Sequence, residues 1–431
     1  VRGGRKWQAL ARPAVILIAT VLASTGCGST AGAPASATPL AAEAIVTAHT
    51  TRLPASDPET QAIALTQTVY AATREDNAPG AIILCPQVAA EAFTAMNRIT
   101  HMPVNAPLLY LGSDGRPSAA TMAEMKRLRP RGVVQDGKVQ VYLVGTADPR
   151  VAYEIERKLH YKVRTLLAPN PVALAELLDR WEAALKTDHA DEVVISALDH
   201  PQGIAYGIGA MSFNAHMGKA FAWVYRDSIP DATRRILARR FGGAYMYLTG
   251  NDDVISDRVA AELSRYGYVQ RIQGPDVYAA NAVNAGYKDF GRNFGYWIGW
   301  KSRDFGWGIS EAGHNFVIGS TADILSVIPA VLLGHMGKHG PTLLVAPDSV
   351  PQSVRTFLEH ARPYATGPRE TVLNFAWIIG DEAHVSWRVQ REIDQLLRPR
   401  PTSLAGIESA AGDSVGGEVR HADSLGAGRE R

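Results

Sequence analysis

The chain has 431 residues, more than one average domain holds and enough for two to four. Apolar residues make up 46% and charged residues 20%, which excludes collagen-like, wholly disordered and disulfide-stapled classes. Lys+Arg number 44 and Asp+Glu 42, and four of the cations (Arg2, Arg5, Lys6, Arg12) lie in an acid-free stretch of 26 residues. The near-neutral remainder has no dense basic run, so no nucleic-acid partner is expected.

The first element in chain order reads as an export signal. A basic stretch, Arg2 to Arg12, precedes an apolar run from Ala14 to Ala23 and then Ser24-Thr25-Gly26-Cys27. The run is about half the ~20 residues a bilayer span needs. Small residues before a cysteine resemble a bacterial lipoprotein signal, although Ser24 stands where a Leu is usual. Residues 1–26 are then a signal peptide and Cys27 the lipidated residue. The protein is expected to be exported and lipid-anchored to the cell membrane, facing the envelope or exterior. A simple secreted protein and an uncleaved anchor are the alternatives. Residues 27–51, rich in Ala, Ser, Thr, Gly and Pro, read as a flexible tether, and 398–431 as a disordered tail.

Between them, strand-like apolar runs alternate with amphipathic helical stretches. AIILC (81–85), APLLYLG (106–112), VQVYLVG (139–145) and YKVRTLL (161–167) each lead into a helix. Continuous apolar strands followed by helices imply a parallel sheet covered on both faces. Cys85 sits in the first run and reads as a small buried hydrophobe. The pattern recurs from DEVVISA (191–197) and again from HNFVIGS (314–320). VYLVGTADPRVAYEIERKL (141–159), MYLTGNDDVISDRVAAEL (246–263) and AWIIGDEAHVSWRVQREI (376–393) share strand, glycine, polar loop and helix. Gly145, Gly250 and Gly380 hold the same place, where a tight strand-to-helix turn suits glycine.

The third pass lacks a fourth strand–helix unit. RLPASDPETQAIAL (52–65) resembles RIQGPDVYAANAVN (271–284), with Arg52/Asp57 and Arg271/Asp276 at one spacing. Residues 52–80 are therefore expected to complete the third subdomain. The first subdomain then covers 81–188, the second 189–288 and the third 313–397, with an aromatic, Gly-rich insert at 289–312.

These residues resemble the bacterial cell-wall-binding repeat 2 family. The passage from His314 to Pro363 is similar to the first half of such a repeat, and that from Met246 to Ala282 to the second half. The resemblance implies an α/β fold of three Rossmann-like (Toprim-like) parallel-sheet subdomains in a pseudo-threefold arrangement. It also implies non-covalent attachment to an anionic cell-wall or envelope polymer. The Arg that follows the Asp in the family is Pro58 in one copy and Val277 in the other.

Candidate polymer contacts are Arg52, Arg271, Lys219, Lys338, Arg303, Trp300 and Trp307. Aromatic faces stack on sugar rings, and Arg or Lys engages acid groups. Each candidate has a plainer reading. Asp57 and Asp276 suit helix N-caps. His216-Met217-Gly218-Lys219 and His335-Met336-Gly337-Lys338, with His101-Met102 at the matching place, suit helix C-termini. The insert's aromatics suit a plug between subdomains. No nucleophile motif, zinc spacing or P-loop is present, so a non-catalytic binder without cofactor or metal is expected. Two alternatives stay open: a metal-dependent envelope hydrolase using strand-end acids such as Asp252, Asp253 and Asp381, and a solute-binding lipoprotein of a transporter.

Overall fold

The computed structural model describes residues 42–186, 190–295, 299–335, 339–363 and 372–400, with backbone only for 292–295 and 299–301. Strands β1 (Ile45–Val46) and β2 (Thr50–Leu53) lead into helix α1 (Pro58–Val69). Asp57 caps α1 by accepting from the Thr60 amide, and Pro58 fills the first helical position, where no amide is needed. The first repeat runs β3 (Ile82–Cys85), α2 (Ala89–Ile99), β4 (Leu108–Tyr110), α3 (Ala119–Leu128), β5 (Val141–Gly145), α4 (Arg150–Leu159), β6 (Val163–Leu167) and α5 (Pro171–Lys186). The second runs β7 (Glu192–Ala197), α6 (Gly203–Met217), β8 (Ala220–Val224), α7 (Asp231–Ala238), β9 (Ala244–Thr249), α8 (Asp257–Leu263), β10 (Gly267–Ile272) and α9 (Val277–Gly286). An antiparallel hairpin, β11 (Asp289–Gly295) and β12 (Gly299–Phe305), separates it from β13 (Asn315–Ser320), α10 (Ile324–Ala330), β14 (Thr342–Val345), α11 (Gln352–His360), β15 (Phe375–Ile379) and α12 (Trp387–Leu397).

Three sheets of parallel strands result, ordered β4-β3-β5-β6, β8-β7-β9-β10 and β14-β13-β15-β2, with β1 antiparallel on the outer side of β2. Each follows the order second, first, third, fourth strand of its repeat. In the third sheet the fourth strand is β2, paired in parallel with β15 from Thr50↔Ala376 to Leu53↔Ile379. The inner strands of the first two sheets are buried along their whole length, as their unbroken apolar character demands, those of the third (β13, β15) less completely, and the edge strands β6 and β10 are partly exposed.

The repeats bury one another's flanks. Helix α5 packs on β8, α9 on β14 and α1 on β4. The last helix of each repeat thus leans on the second strand of the next, and the contacts close into a cycle. Helices α2, α6 and α10 also touch pairwise. Fully buried Trp223 of β8 donates its indole N–H to Thr94 Oγ1 of α2 at 2.8 Å. Tyr110 of β4 donates to the Leu325 carbonyl of α10 at 2.8 Å. Cys85 is fully buried, and burial pushes its thiol pKa well up.

Candidate functional site

The Arg motif is built to close turns. Gly145, Gly250 and Gly380 end β5, β9 and β15 with φ of +86°, +107° and +100°, a backbone state glycine adopts without strain. Arg271, on β10 beside Leu248, reaches past its strand to the carbonyls of Gly250, Asn251 and Ile255 at 2.9–3.0 Å. Arg52, on β2 beside Ile378, donates to the Gly380 carbonyl at 3.0 Å and to Gln390 Oε1 at 2.6 Å, and lies over the Trp387 ring. Burial lowers the Arg52 pKa, while the carboxylates of Glu382 and Asp381 act against that shift. At 1% exposure Arg52 offers no surface to a polymer, and Arg271 is largely enclosed. Both side chains direct donors at loop carbonyls, Arg52 also at Gln390 and Arg271 also at Asp257. Asp276, like Asp57, is a helix N-cap and accepts from the Ala279 amide. In the first repeat Thr165 takes the arginine's register position, beside Leu143, and Asn170 takes the cap, accepting from Ala173.

The basic and aromatic candidates are also drawn inward. Lys219 pairs with Glu192 at 3.0 Å with 13% of its side chain exposed. Arg303 pairs with Asp289 at 2.7 Å and faces the rings of Tyr245 and Tyr268. Trp307 stacks on His216 at 4.9 Å and meets Phe213 edge-on. Phe305, another of the insert's aromatics, is fully buried and stacks on Tyr247 at 3.8 Å. The insert thus lies against the flank of the second repeat, with Trp307 and Phe305 in ring contacts and Arg303 and Lys219 in ion pairs. Lys338 and Cys27 lie outside the described residues, and Trp300 is described by its backbone alone.

The His-Met motifs converge. His101 and His335 have ring centroids 5.2 Å apart, and His216 lies 6.5 Å from His335 and 4.7 Å from His339. His335 shares a 2.8 Å hydrogen bond with Asn105, and Gly218 ends α6 in the left-handed region. Burial first, and neighbouring cations or imidazoles second, lower the pKa values of His101, His216 and His335 to about 4. Among the described residues no group of three or more His, Cys, Asp or Glu is arranged to hold a metal ion. Asp252 and Asp253 are exposed in the β9–α8 loop, and Asp381 accepts from the amides of Ala383 and His384.

The strand ends separate the first repeat from its copies. In the second, the Ser256 amide donates to Arg226 O at 2.9 Å and Arg258 donates to Asp227 O. In the third, the Ser386 amide donates to Pro347 O at 2.8 Å and Arg388 donates to Asp348 O. These bonds lace the loop after the third strand to the loop after the second. From the shared glycine to the shared Arg-Val pair, the first repeat's loop is three residues shorter (Gly145 to Arg150, against Gly250 to Arg258) and has no such serine. A cavity of about 380 Å³ lies open there, lined by Asp114, Arg116, Thr146, Asp148 and Arg150. A second hollow of about 390 Å³ shares Thr146 and Ala147 and reaches Leu167 and Pro169. Arg150 pairs with Asp148 at 2.6 Å and Arg116 with Glu154 at 3.0 Å, both arginines more than half exposed. Sequence reasoning missed these residues, although the shorter loop is visible when the three fragments are aligned.

No known family profile matches the chain, and no curated protein matches it. Solved structures do. Cwp6 from Clostridium difficile aligns over 82% of this chain with a TM-score of 0.60 at 15% identity. Cwp8 from Clostridium difficile aligns over 81% with a TM-score of 0.59, also at 15% identity. The match spans 49% and 52% of those two chains, so this protein corresponds to about half of each. The shared property is the fold.

Proposed function

We propose that this protein is a non-catalytic envelope protein that binds an anionic wall polymer and is held at the membrane by lipid on Cys27. The observation that supports it most is the fold held in common, over four-fifths of the chain, with two Clostridium difficile cell wall proteins. The sequence resemblance to cell-wall-binding repeats points the same way. Three similar subdomains present similar loops several times, and repeated weak contacts with a repetitive polymer add up through effective concentration. Trp300 and Lys338 belong to the proposed contact surface. Among the described residues no helix is long and apolar enough to cross a membrane.

Two measurements test this. The full chain is incubated with purified wall polymer and with a neutral glucan, and the bound fraction is read by co-sedimentation. Retention on the anionic polymer that weakens with salt is expected, and equal retention on both, or on neither, rejects the reading. Separately, Cys27→Ala moves the protein from the membrane to the soluble envelope fraction if the anchor is lipid.

A further inference from the structure

We infer that the open cleft of the first repeat is the binding site for an acidic glycan segment, its acid group taken by Arg116 and Arg150 and its neighbouring hydroxyls by Asp114 and Asp148. The inference rests on the polymer-binding reading and names the part of the chain that performs it.

The molecule supplies its own controls. Three repeats share one strand order and one glycine at the end of the third strand. In two of them the arginine of the Arg-Val pair, though exposed, donates to a carbonyl of the loop after the second strand, and a serine amide completes the lacing. In the first repeat the same arginine, Arg150, pairs instead with Asp148 of its own loop and stands 82% exposed at the cavity rim. Arg116 comes from the opposite wall, the loop after β4, so the two guanidinium groups flank one hollow. The hollow lies at the carboxyl ends of β3 and β5, beside β4, where the chain direction across the sheet reverses and α/β sheets place ligands.

The chemistry of the lining selects the ligand class. Guanidinium forks match carboxylate and phosphate oxygens bidentately. The Arg150–Asp148 pair is exposed, contributes little and exchanges readily with a ligand acid, and Arg116 can leave Glu154, which is 17% exposed and keeps Lys158 as a partner. Asp114 and Asp148 are acceptors suited to sugar hydroxyls, and small Gly115, Thr146 and Ala147 leave room for a ring to approach. A nested phosphate at the β5–α4 turn is disfavoured, because the Thr146 amide already donates to the buried carboxylate of Glu91 at 3.0 Å. The acid must therefore sit on the arginine side. Together the two hollows fall in the size range of small-molecule sites.

The test uses the full chain, R116Q/R150Q and, as the control, R258Q/R388Q. Probes are tetragalacturonate, a phosphorylated maltotetraose and neutral maltotetraose, titrated by calorimetry; the first two distinguish a carboxylate from a phosphate. At least one acidic probe is expected to bind, the neutral one not. R116Q/R150Q is expected to weaken that binding by about tenfold or more without changing the melting temperature. R258Q/R388Q is expected to lower the melting temperature and leave the affinity unchanged. Failure of both acidic probes to bind the unaltered chain, or affinity of R116Q/R150Q within twofold of it, overturns the cleft. If wall polymer is still retained in that event, only the cleft is lost. If the unaltered chain retains no wall polymer, the wider reading fails instead.

Discussion

The guanidinium of Arg52 donates to the carbonyl of Gly380 at 3.0 Å across a chain separation of 328 residues. This bond ties the start of the body to its end and closes the turn that Arg271 closes in the second repeat. Arg52→Met leaves the Gly380 carbonyl and Gln390 Oε1 buried without this donor, a cost of about 1–3 kcal/mol for each acceptor. Arg271→Met frees three carbonyls, those of Gly250 and Ile255 on buried residues, and is expected to cost at least as much although its side chain is 15% exposed. Urea unfolding of the two variants measures the difference. A clearly smaller loss for Arg271→Met would count against the assignment of these bonds. Polymer binding by the folded Arg52→Met protein should match that of the unaltered chain.

A second tie joins the first two repeats. Asp179 on α5 receives Arg240 at 2.7 Å and Arg239 at 2.7 Å from the segment after α7, and Arg98 of α2 at 3.3 Å. Asp179, Arg98 and Arg240 are almost wholly buried. Asp179→Asn leaves the buried guanidinium of Arg240 without its countercharge, while Arg98 keeps Glu182 and Arg239 keeps Glu176, for an expected loss of about 3–5 kcal/mol. Burial alone would raise the carboxyl pKa, but Arg240 and Arg98 outweigh it and hold it at about 2. The unfolded carboxyl titrates near ~3.9, so the unfolded chain takes up the proton first. This contribution is therefore complete above about pH 4 and fades as the pH falls toward 2. Between those pH values the unaltered protein should lose more stability than Asp179→Asn, and parallel curves would reject the assignment.

Much of the fold was legible in the sequence because parallel strands buried on both faces leave continuous apolar runs, as in Ile82–Cys85 and Val141–Gly145. Asp57 and Asp276 were legible as caps because their chemistry is local. The direction of long side chains was not. Arg52, Arg303 and Lys219 carry full charges, and nothing in their spacing reveals that a carbonyl or carboxylate waits across the fold. Trp307 and Phe305 were ambiguous for the same reason: an aromatic-rich insert reads alike whether it faces a sugar or a neighbouring sheet. The cleft of the first repeat escaped because its signal is a deletion, and Arg150 acquires meaning only when Arg258 and Arg388 are seen bonded elsewhere.

The hairpin insert is held by its second strand. Phe305 is fully buried against Tyr247 at 3.8 Å, and the Tyr247 hydroxyl donates to Asp289 Oδ2 at 3.0 Å on the first strand. Phe305→Ala removes the stack and leaves a cavity, for about 3–5 kcal/mol if the loss is shared by the whole fold. If the hairpin opens separately, the global midpoint moves little and the chain gains a protease-sensitive site within 289–305. Either result fits a structural plug. An unchanged midpoint with unchanged proteolysis would show that the stack does not hold the insert.

The imidazoles of His101, His216 and His335 give the protein a separate acid response. They come from the equivalent ends of α2, α6 and the segment after α10, with Asn105, Trp307, His339 and the cations Lys186, Lys219 and Lys288 around them. Burial, reinforced by those cations and by the other imidazoles, favours the neutral ring and places each pKa at about 4 in the folded state. An unfolded histidine titrates near ~6.5, so between these values the unfolded chain binds protons that the folded chain refuses. The stability contribution is full above about pH 6.5, declines as the pH falls, and is gone below about 4. The melting temperature should therefore drop between pH 7 and pH 4.5, above the window in which Asp179 responds. His216→Gln combined with His335→Gln should flatten that drop while leaving the loss between pH 4 and 2 in place. A slope between pH 7 and 4.5 that survives both substitutions would place the sensitivity in other groups.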